Sequence, residues 1–277
     1  MPQKTAPKQE EPKVAAPIAL VIEKKPGEEV VQEVIQTTVV EAPQGVKTEK
    51  TFDKEAWQPK TILGSKVKTG EVNHIDQILD AGYPILEASI VDALLPNMES
   101  DLLAIGQSKG KFGGGKKSIW RQVQKKTAEG NKPSFAALVI IGNKDGYLGM
   151  GYGKARETLP AREKAVRKAK LNMIKVQRGC GSWECGCGGN HSIACKIVAK
   201  CGSVIVELLP APKGTGLAME KEVSKILAMA GIKDVYSHTY GQTRTKLNHV
   251  KAVFEALRLL SQVKQTKKTH AVATSHE

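Results

Sequence analysis

Residues 134–142, SFAALVIIG, form an unbroken apolar run of strand length, and the turn residues NKDG (143–146) join it to YLGMGYG (147–153), where Gly149, Gly151 and Gly153 alternate with larger residues. An apolar strand turned back into a glycine-rich one requires close neighbours, because glycines inside a strand mark bulges or the near approach of another backbone. A duplex RNA backbone is one candidate for that neighbour. Upstream, SIWRQVQKKT (118–127) alternates like a half-buried strand, and AEGNKP (128–133) is turn chemistry. Downstream, a helix is expected from about Glu157 to Val176, which makes the unit βββα.

That helix has two faces. At 100° per residue, Arg167, Lys168 and Lys175 fall within about 60° of Lys164, whereas Ala165, Val166, Ala169 and Met173 fall on the other side. One face is expected to pack on the sheet and the other to carry cations spaced to follow phosphates. Lys154, Arg156 and Arg178 add to this candidate RNA-binding set, with a solvated basic helix face as the plain alternative. The charge distribution points the same way: residues 1–60 carry −1 and residues 61–100 carry −4, so the net +14 leaves +19 on residues 101–277. A folded region so charged repels itself unless a polyanion neutralises it. The basic helix lacks the bulky apolar face that a membrane surface would require.

A second α+β unit follows. HSIACKIVAK (191–200) and GSVIVELLP (202–210) read as strands, and a helix is expected from about Leu217 to Ala230, ending at Gly231. IKDVYSHTYG (232–241) reads as a strand with a turn and LNHVKAVFEALRLLSQV (247–263) as an amphipathic helix, giving ββαβα. PAPKGTG (210–216) turns into the first of these helices, whose N-terminus could hold a phosphate with Lys213 adding charge. Neither glycine-rich turn has the G-x-G-x-x-G or G-x-x-x-x-G-K-[ST] spacing of a nucleotide site.

Between the two units, Cys180, Cys185, Cys187 and His191 follow the spacing C-x(4)-C-x-C-x(3)-H. Three thiolates and one imidazole would satisfy tetrahedral zinc, and the intervening glycines let so short a loop wrap. A reduced, metal-free glycine loop is the alternative, and Cys195 is a substitute ligand. Cys201 reads as a small packing residue, and His238 and His249 as isolated surface or strand-end residues. Four protein ligands leave no open position for catalysis, and no nucleophile has a base placed beside it, so no enzyme activity is expected.

The expected organisation is α+β. A disordered extension covers 1–55 and a helical lead-in with a Gly/Lys loop covers 56–117, including short helices at 75–82 and 86–96. A domain like a double-stranded-RNA-binding domain covers 118–176, a Cys/Gly junction 177–190, the C-terminal α/β domain 191–263 and a tail 264–277. With no apolar run of spanning length, no secretory leader and an odd, clustered cysteine count, the chain is expected to be cytoplasmic, with no membrane partner.

Several stretches together carry a resemblance: VQKKTAEGNKPSFAALVIIGNKDGYLGMGYGKARE, RGCGSWECGCGGNHSIACKI, CGSVIVELLPAPKGTGLA and LAMAGIKDVYSHTYGQTRT. From about Trp57 to Val263 the chain resembles the universal family of the fifth small-subunit ribosomal protein, in its archaeal form. The resemblance implies a structural component of the small subunit, located in the ribosome, that binds small-subunit rRNA and supports decoding accuracy in translation. It also implies contact with the fourth and eighth small-subunit proteins and a position where mRNA enters. Lys125, Lys126, Gly130, Asn131 and Lys132 match the family's RNA-contacting hairpin, although this chain has Lys132-Pro133-Ser134 where the family often has paired arginines. Residues 210–225 match the surface facing the fourth protein. The other reading of the same basic elements is a free regulatory double-stranded-RNA-binding protein.

Overall fold

The computed structural model describes residues 54, 56–108 and 117–263; the extension, most of the Gly/Lys loop and the tail lie outside them. Three short helices come first: α1 (Ile62–Thr69), α2 (Ile75–Asp80) and α3 (Ala88–Leu94). Helix α1 is not among the helices expected from the sequence. It begins where the Thr61 side chain accepts from the Gly64 N–H, and Glu87 takes the N–H groups of Lys60 and Thr61. The helices bury Trp57, Val67, Ile75, Ile78, Ile90 and Val91 in a small core closed by Met173.

The first sheet is antiparallel and is organised by one long strand. Strand β3 (Gly130–Gly142) pairs along one edge with β2 (Arg121–Thr127) at its start and with β1 (Glu99–Leu102) at its end. Its other edge pairs with β4 (Tyr147–Ala155), and β4 pairs with β5 (Met173–Lys175). Residues 136–142 of β3 are buried on both faces, which accounts for the continuous apolar run. Val139 and Ile141 pack with Ala165 and Ala169 of α4 (Thr158–Leu171), while Leu138 and Ile140 join the core of the C-terminal half.

That half contains β6 (Ile197–Cys201), β7 (Val204–Pro210), β8 (Leu217–Ala218), α5 (Lys221–Met229), β9 (Val235–Tyr240) and α6 (Lys246–Ser261). The sheet order is β6-β7-β9-β8, with only β8–β9 parallel. Val204, Val206 and Leu208 of β7 face α5 and α6 in the same core that receives Leu138, Ile140 and Leu148 from the first sheet. The NKDG turn docks on the end of α5. The Lys144 N–H donates to Met229 O at 2.9 Å, and a β-carbon on Gly231 would lie 1.9 Å from Lys144 O.

Several expectations are corrected here. Helix α4 ends at Leu171 rather than Val176, because the chain turns at Asn172 and adds β5 to the sheet edge. Strand β2 is not half-buried: Arg121 to Lys126 are exposed on both faces of a two-stranded ribbon that ends in a tight turn at 128–129. Helix α5 starts at Lys221, four residues later than expected, since Leu217 and Ala218 pair with β9. His249 is buried and its Nδ1 lies 3.0 Å from Glu220 Oε2, so it is neither isolated nor superficial. Burial first, and then the neighbouring Lys246 charge, lowers its pKa.

Candidate metal centre and basic surfaces

The cysteine loop is built by a short bridge between its two ends. Gly179 and Ser192 exchange backbone hydrogen bonds at 2.9 Å, and the Gly181 N–H donates to Ile193 O at 3.1 Å. A β-carbon on Gly181 would lie 2.1 Å from Ala194 O, so a larger residue there would force the strands apart. The bridge folds 180–191 back on itself and brings one ligand atom from each of Cys180, Cys185, Cys187 and His191 within 4.8 Å of one another. Cys185 Sγ lies 3.7 Å from His191 Nε2. A tetrahedron with metal–sulfur bonds of about 2.3 Å places its ligand atoms about 3.8 Å apart. The spacing fits zinc, and so does a donor set of three sulfurs and one imidazole nitrogen.

His191 is fixed from behind. Its Nδ1 lies 2.8 Å from Asp234 Oδ2, leaving Nε2 toward the thiols. Asp234 is buried, and its Oδ1 also accepts from the N–H groups of Gly214 (3.1 Å) and Gly216 (2.8 Å). Burial works to raise the Asp234 pKa, but the Gly216 N–H, His191 and the Gly214 N–H outweigh it and hold the carboxyl below its ordinary value. A carboxylate holding the far nitrogen of a histidine is the usual support for a metal-ligating imidazole. Asp234 is 43 residues from His191, and no local motif in the sequence signals the pair.

The thiols differ. The Lys213 N–H, and next the Cys187 N–H, stabilise the Cys185 thiolate and bring its pKa down to about 6. Burial, and then the neighbouring Cys187 and Cys185 thiols, pushes Cys180 up to about 11. Cys195 is not in the cluster; like Cys201 it packs against the main core.

The phosphate site expected at a helix N-terminus directly after 210–216 is displaced, because α5 begins only at Lys221, and the amides of the turn itself are already engaged. The Gly214 and Gly216 N–H groups are used by Asp234, and the Thr215 N–H by Pro212 O. Lys213 stays exposed at the tip of this loop.

The basic residues fall into groups. Lys125, Lys126, Gly130, Asn131 and Lys132 lie on the exposed β2–β3 ribbon, with Lys125 opposite Lys132 and Lys126 opposite Asn131. Arg121 adds a further exposed cation to this ribbon, beyond those expected from the sequence. Lys154 and Arg156 are exposed where β4 leads into α4, and Lys164, Arg167 and Lys168 are exposed along α4. Lys175 is separate from this row. It sits in β5 and its Nζ lies 2.9 Å from Asp76 Oδ2 of the lead-in. Arg178 is turned inward, donating to Lys144 O at 3.2 Å. The glycines of β4 face protein rather than RNA: β-carbons at 149, 151 and 153 would lie 2.4, 2.0 and 2.2 Å from the carbonyl oxygens of Ala169, Ala165 and Ala161.

The chain resembles known proteins over these same elements. Residues 119–177 match the N-terminal domain of ribosomal protein S5 and residues 199–270 its C-terminal domain. The small ribosomal subunit protein uS5 of Nanoarchaeum equitans is 52% identical over 210 residues, covering 76% of this chain and 90% of the relative. The uS5 proteins of Methanocaldococcus jannaschii and Methanothermobacter thermautotrophicus are 47% and 46% identical, across 76% and 78% of this chain and 90% and 94% of those relatives. Relatives this similar across three quarters of the chain, together with both domain matches, show that the chain belongs to the ribosomal protein S5 family, in its archaeal type.

Proposed function

We infer that this protein is a structural, non-catalytic component of the small ribosomal subunit that binds small-subunit rRNA and supports decoding accuracy. The observation that carries the reading is the β2–β3 ribbon. Both of its faces are exposed, and it bears Arg121, Lys125, Lys126 and Lys132. Among the described residues, only Lys132 of these four is in an ion pair, with Glu129 at 3.0 Å. A projecting cationic ribbon with so little apolar surface gains order from a polyanion. The row Lys164, Arg167 and Lys168 on α4 offers a second track for phosphates, with Lys154 and Arg156 between the two.

The β2-β3-β4-α4 order, with one helix across one face of an antiparallel sheet, supports a likeness to double-stranded-RNA-binding domains for 118–176. The C-terminal α/β unit then covers 191–263, joined through 177–190. Contacts with the fourth and eighth small-subunit proteins, and a place where mRNA enters, belong to the same reading; residues 210–225 are the surface assigned to the fourth protein. The relatives named above are small-subunit proteins and give no support to a free regulatory RNA-binding protein. Sedimentation tests this directly: the protein should travel with small subunits through a high-salt gradient, and recovery at the top would overturn the assignment.

The second part of the proposal is a closed structural zinc site at Cys180, Cys185, Cys187 and His191. It is supported by ligand atoms within 4.8 Å and by the Asp234 brace. Zinc there would hold the junction between the two halves and would leave no position for water. Elemental analysis of freshly isolated, never-chelated subunits should find about one zinc per chain.

A further inference from the structure

The hydrogen bonds around Asp234 join the cysteine cluster to the loop of residues 211–216. Residues 211–216 leave β7 and reach β8 with little regular structure, and four backbone groups tie them down. The Ala211 N–H donates to Ser192 Oγ at 3.2 Å, and Ser192 is fully buried next to His191. Gly216 O accepts from the Val235 N–H at 3.1 Å. The Gly214 and Gly216 N–H groups both end on Asp234 Oδ1, whose other oxygen holds His191. His191 O in turn accepts from the N–H groups of Lys233 (2.8 Å) and Asp234 (3.1 Å), which closes a ring of bonds between the two segments.

We propose that Asp234 is a positioning residue that couples the metal site to the 211–216 loop, so that occupancy of the cluster sets the conformation in which Lys213 is presented. The inference rests on the zinc reading above. Its physical basis is that one carboxylate serves both sides. A metal on Nε2 of His191 makes Nδ1–H a stronger donor and fixes the ring, which fixes the carboxylate that receives the loop amides. Without metal, His191 is held through Nδ1 alone, the cysteine loop loses its closure, and the two amide tethers on Asp234 loosen together. Gly214 and Gly216 have φ of +94° and +76°, which glycine adopts and leaves at little cost, so the backbone itself does not hold this conformation in place of the tethers.

The partner chemistry follows from what remains free. With its amides occupied, the loop offers a single exposed ammonium on a rigid arc rather than an anion-binding nest. It therefore suits one anionic oxygen held at a fixed point.

Limited trypsin digestion of the full chain reads the coupling at the Lys213–Gly214 bond. Cleavage after Lys126, on the remote ribbon, serves as the internal reference. In wild type, chelation should raise the Lys213-to-Lys126 cleavage ratio about tenfold, as cleavage follows the population of the opened loop. Asp234→Asn, loaded with cobalt(II), should keep the absorption bands of tetrahedral thiolate ligation while metal affinity falls about 10- to 100-fold. Its cleavage ratio should be raised even with metal bound, which a merely structural role for the cluster would not produce. If wild type binds cobalt with tetrahedral bands and chelation leaves the ratio unchanged, the coupling is wrong and the zinc site stands. If wild type takes up neither cobalt nor zinc, both fall. Should Asp234→Asn fail to fold, the wild-type comparison still decides, because global unfolding raises both cleavages together.

Discussion

A β-carbon on Gly151 would lie 2.0 Å from the carbonyl oxygen of Ala165, so α4 rests directly on the backbone of β4. The register explains how this is possible. Gly149, Gly151 and Gly153 lie opposite Ile141, Val139 and Ala137 on the same face of the sheet, and Ala161, Ala165 and Ala169 form the matching stripe on the helix. The bulk on this face is supplied by β3, and the glycines of β4 make room for the helix. Because α4 is held so near the sheet, its buried stripe needs only alanines, and much of the rest of its surface is left for cations.

Gly151→Ala should therefore cost about 1–3 kcal/mol of unfolding free energy, since neither backbone can move away without disturbing the sheet. Gly179→Ala is the control: its β-carbon would meet Ala194 at 3.6 Å, an ordinary contact. That variant should fall within about 0.5 kcal/mol of wild type. Chemical denaturation of the two side by side checks the difference, and equal stabilities would refute the close-packing account.

Where sequence and structure agree, the signal was local. The apolar run 134–142, the NKDG turn and the final amphipathic helix each carry their own period or turn chemistry. The misplacements came from pairing with distant residues. Lys175 continues the cationic period of α4 in sequence, but β4 offers an edge to Met173–Lys175 and the chain leaves the helix to take it. Leu217 and Ala218 would extend α5, but the edge of β9 captures them. Strand β1 has no alternation to reveal it and exists because the second half of β3 needs a partner. At the site, the four candidate ligands were legible because they lie within 12 residues of each other. Asp234 was not, because its role depends on how the two halves of the chain meet.

The two basic tracks should act additively and without sequence preference. Changing Lys125, Lys126 and Lys132 together to Gln should weaken RNA binding, as should the triple change Lys164, Arg167 and Lys168 to Gln. Each lost phosphate contact should reduce the slope of log K against log salt by about 0.7–0.9. Folding should be unaffected, since all six side chains are exposed. A triple variant with an unchanged slope would mean that its surface is only solvated.

The lead-in helices are held to the body by acid–base pairs around β5. The Tyr147 hydroxyl donates to Asp76 Oδ1 at 2.7 Å, Lys175 pairs with Asp76, and Lys170 lies 2.5 Å from Asp92 Oδ1. Tyr147→Phe should cost about 1 kcal/mol at neutral pH. Burial first, then the hydrogen bond to Asp76 and the charges of Asp76, Asp80 and Asp145, raise the phenol pKa. The folded state therefore keeps a proton that the unfolded chain begins to release near pH 10. This contribution is complete below about pH 10 and is lost as pH rises further. Melting curves of wild type and Tyr147→Phe should converge in alkali, and a constant gap between them would show that the hydroxyl contributes nothing through its proton.

The metal prediction turns on the cost of gathering three thiols. Burial and the neighbouring thiols hold the Cys180 proton on, up to about pH 11, so the cluster alone does not carry three thiolates at neutral pH. A divalent cation removes that obstacle by displacing the thiol protons, and its binding free energy then becomes part of the folding free energy of the junction. Full-length protein at free zinc of about 100 times the dissociation constant should gain about 2.7 kcal/mol over the chelated form. Cys185→Ser removes one of the four proposed ligands and should lose both the bound zinc and this gain. Cys195→Ser lies outside the cluster and should keep both. Because the ligands bind deprotonated, the zinc-dependent gain should shrink as pH falls. Calorimetry with and without chelator at two pH values measures each of these shifts. An identical transition in all conditions would leave the four residues as small groups packed in a tight glycine loop.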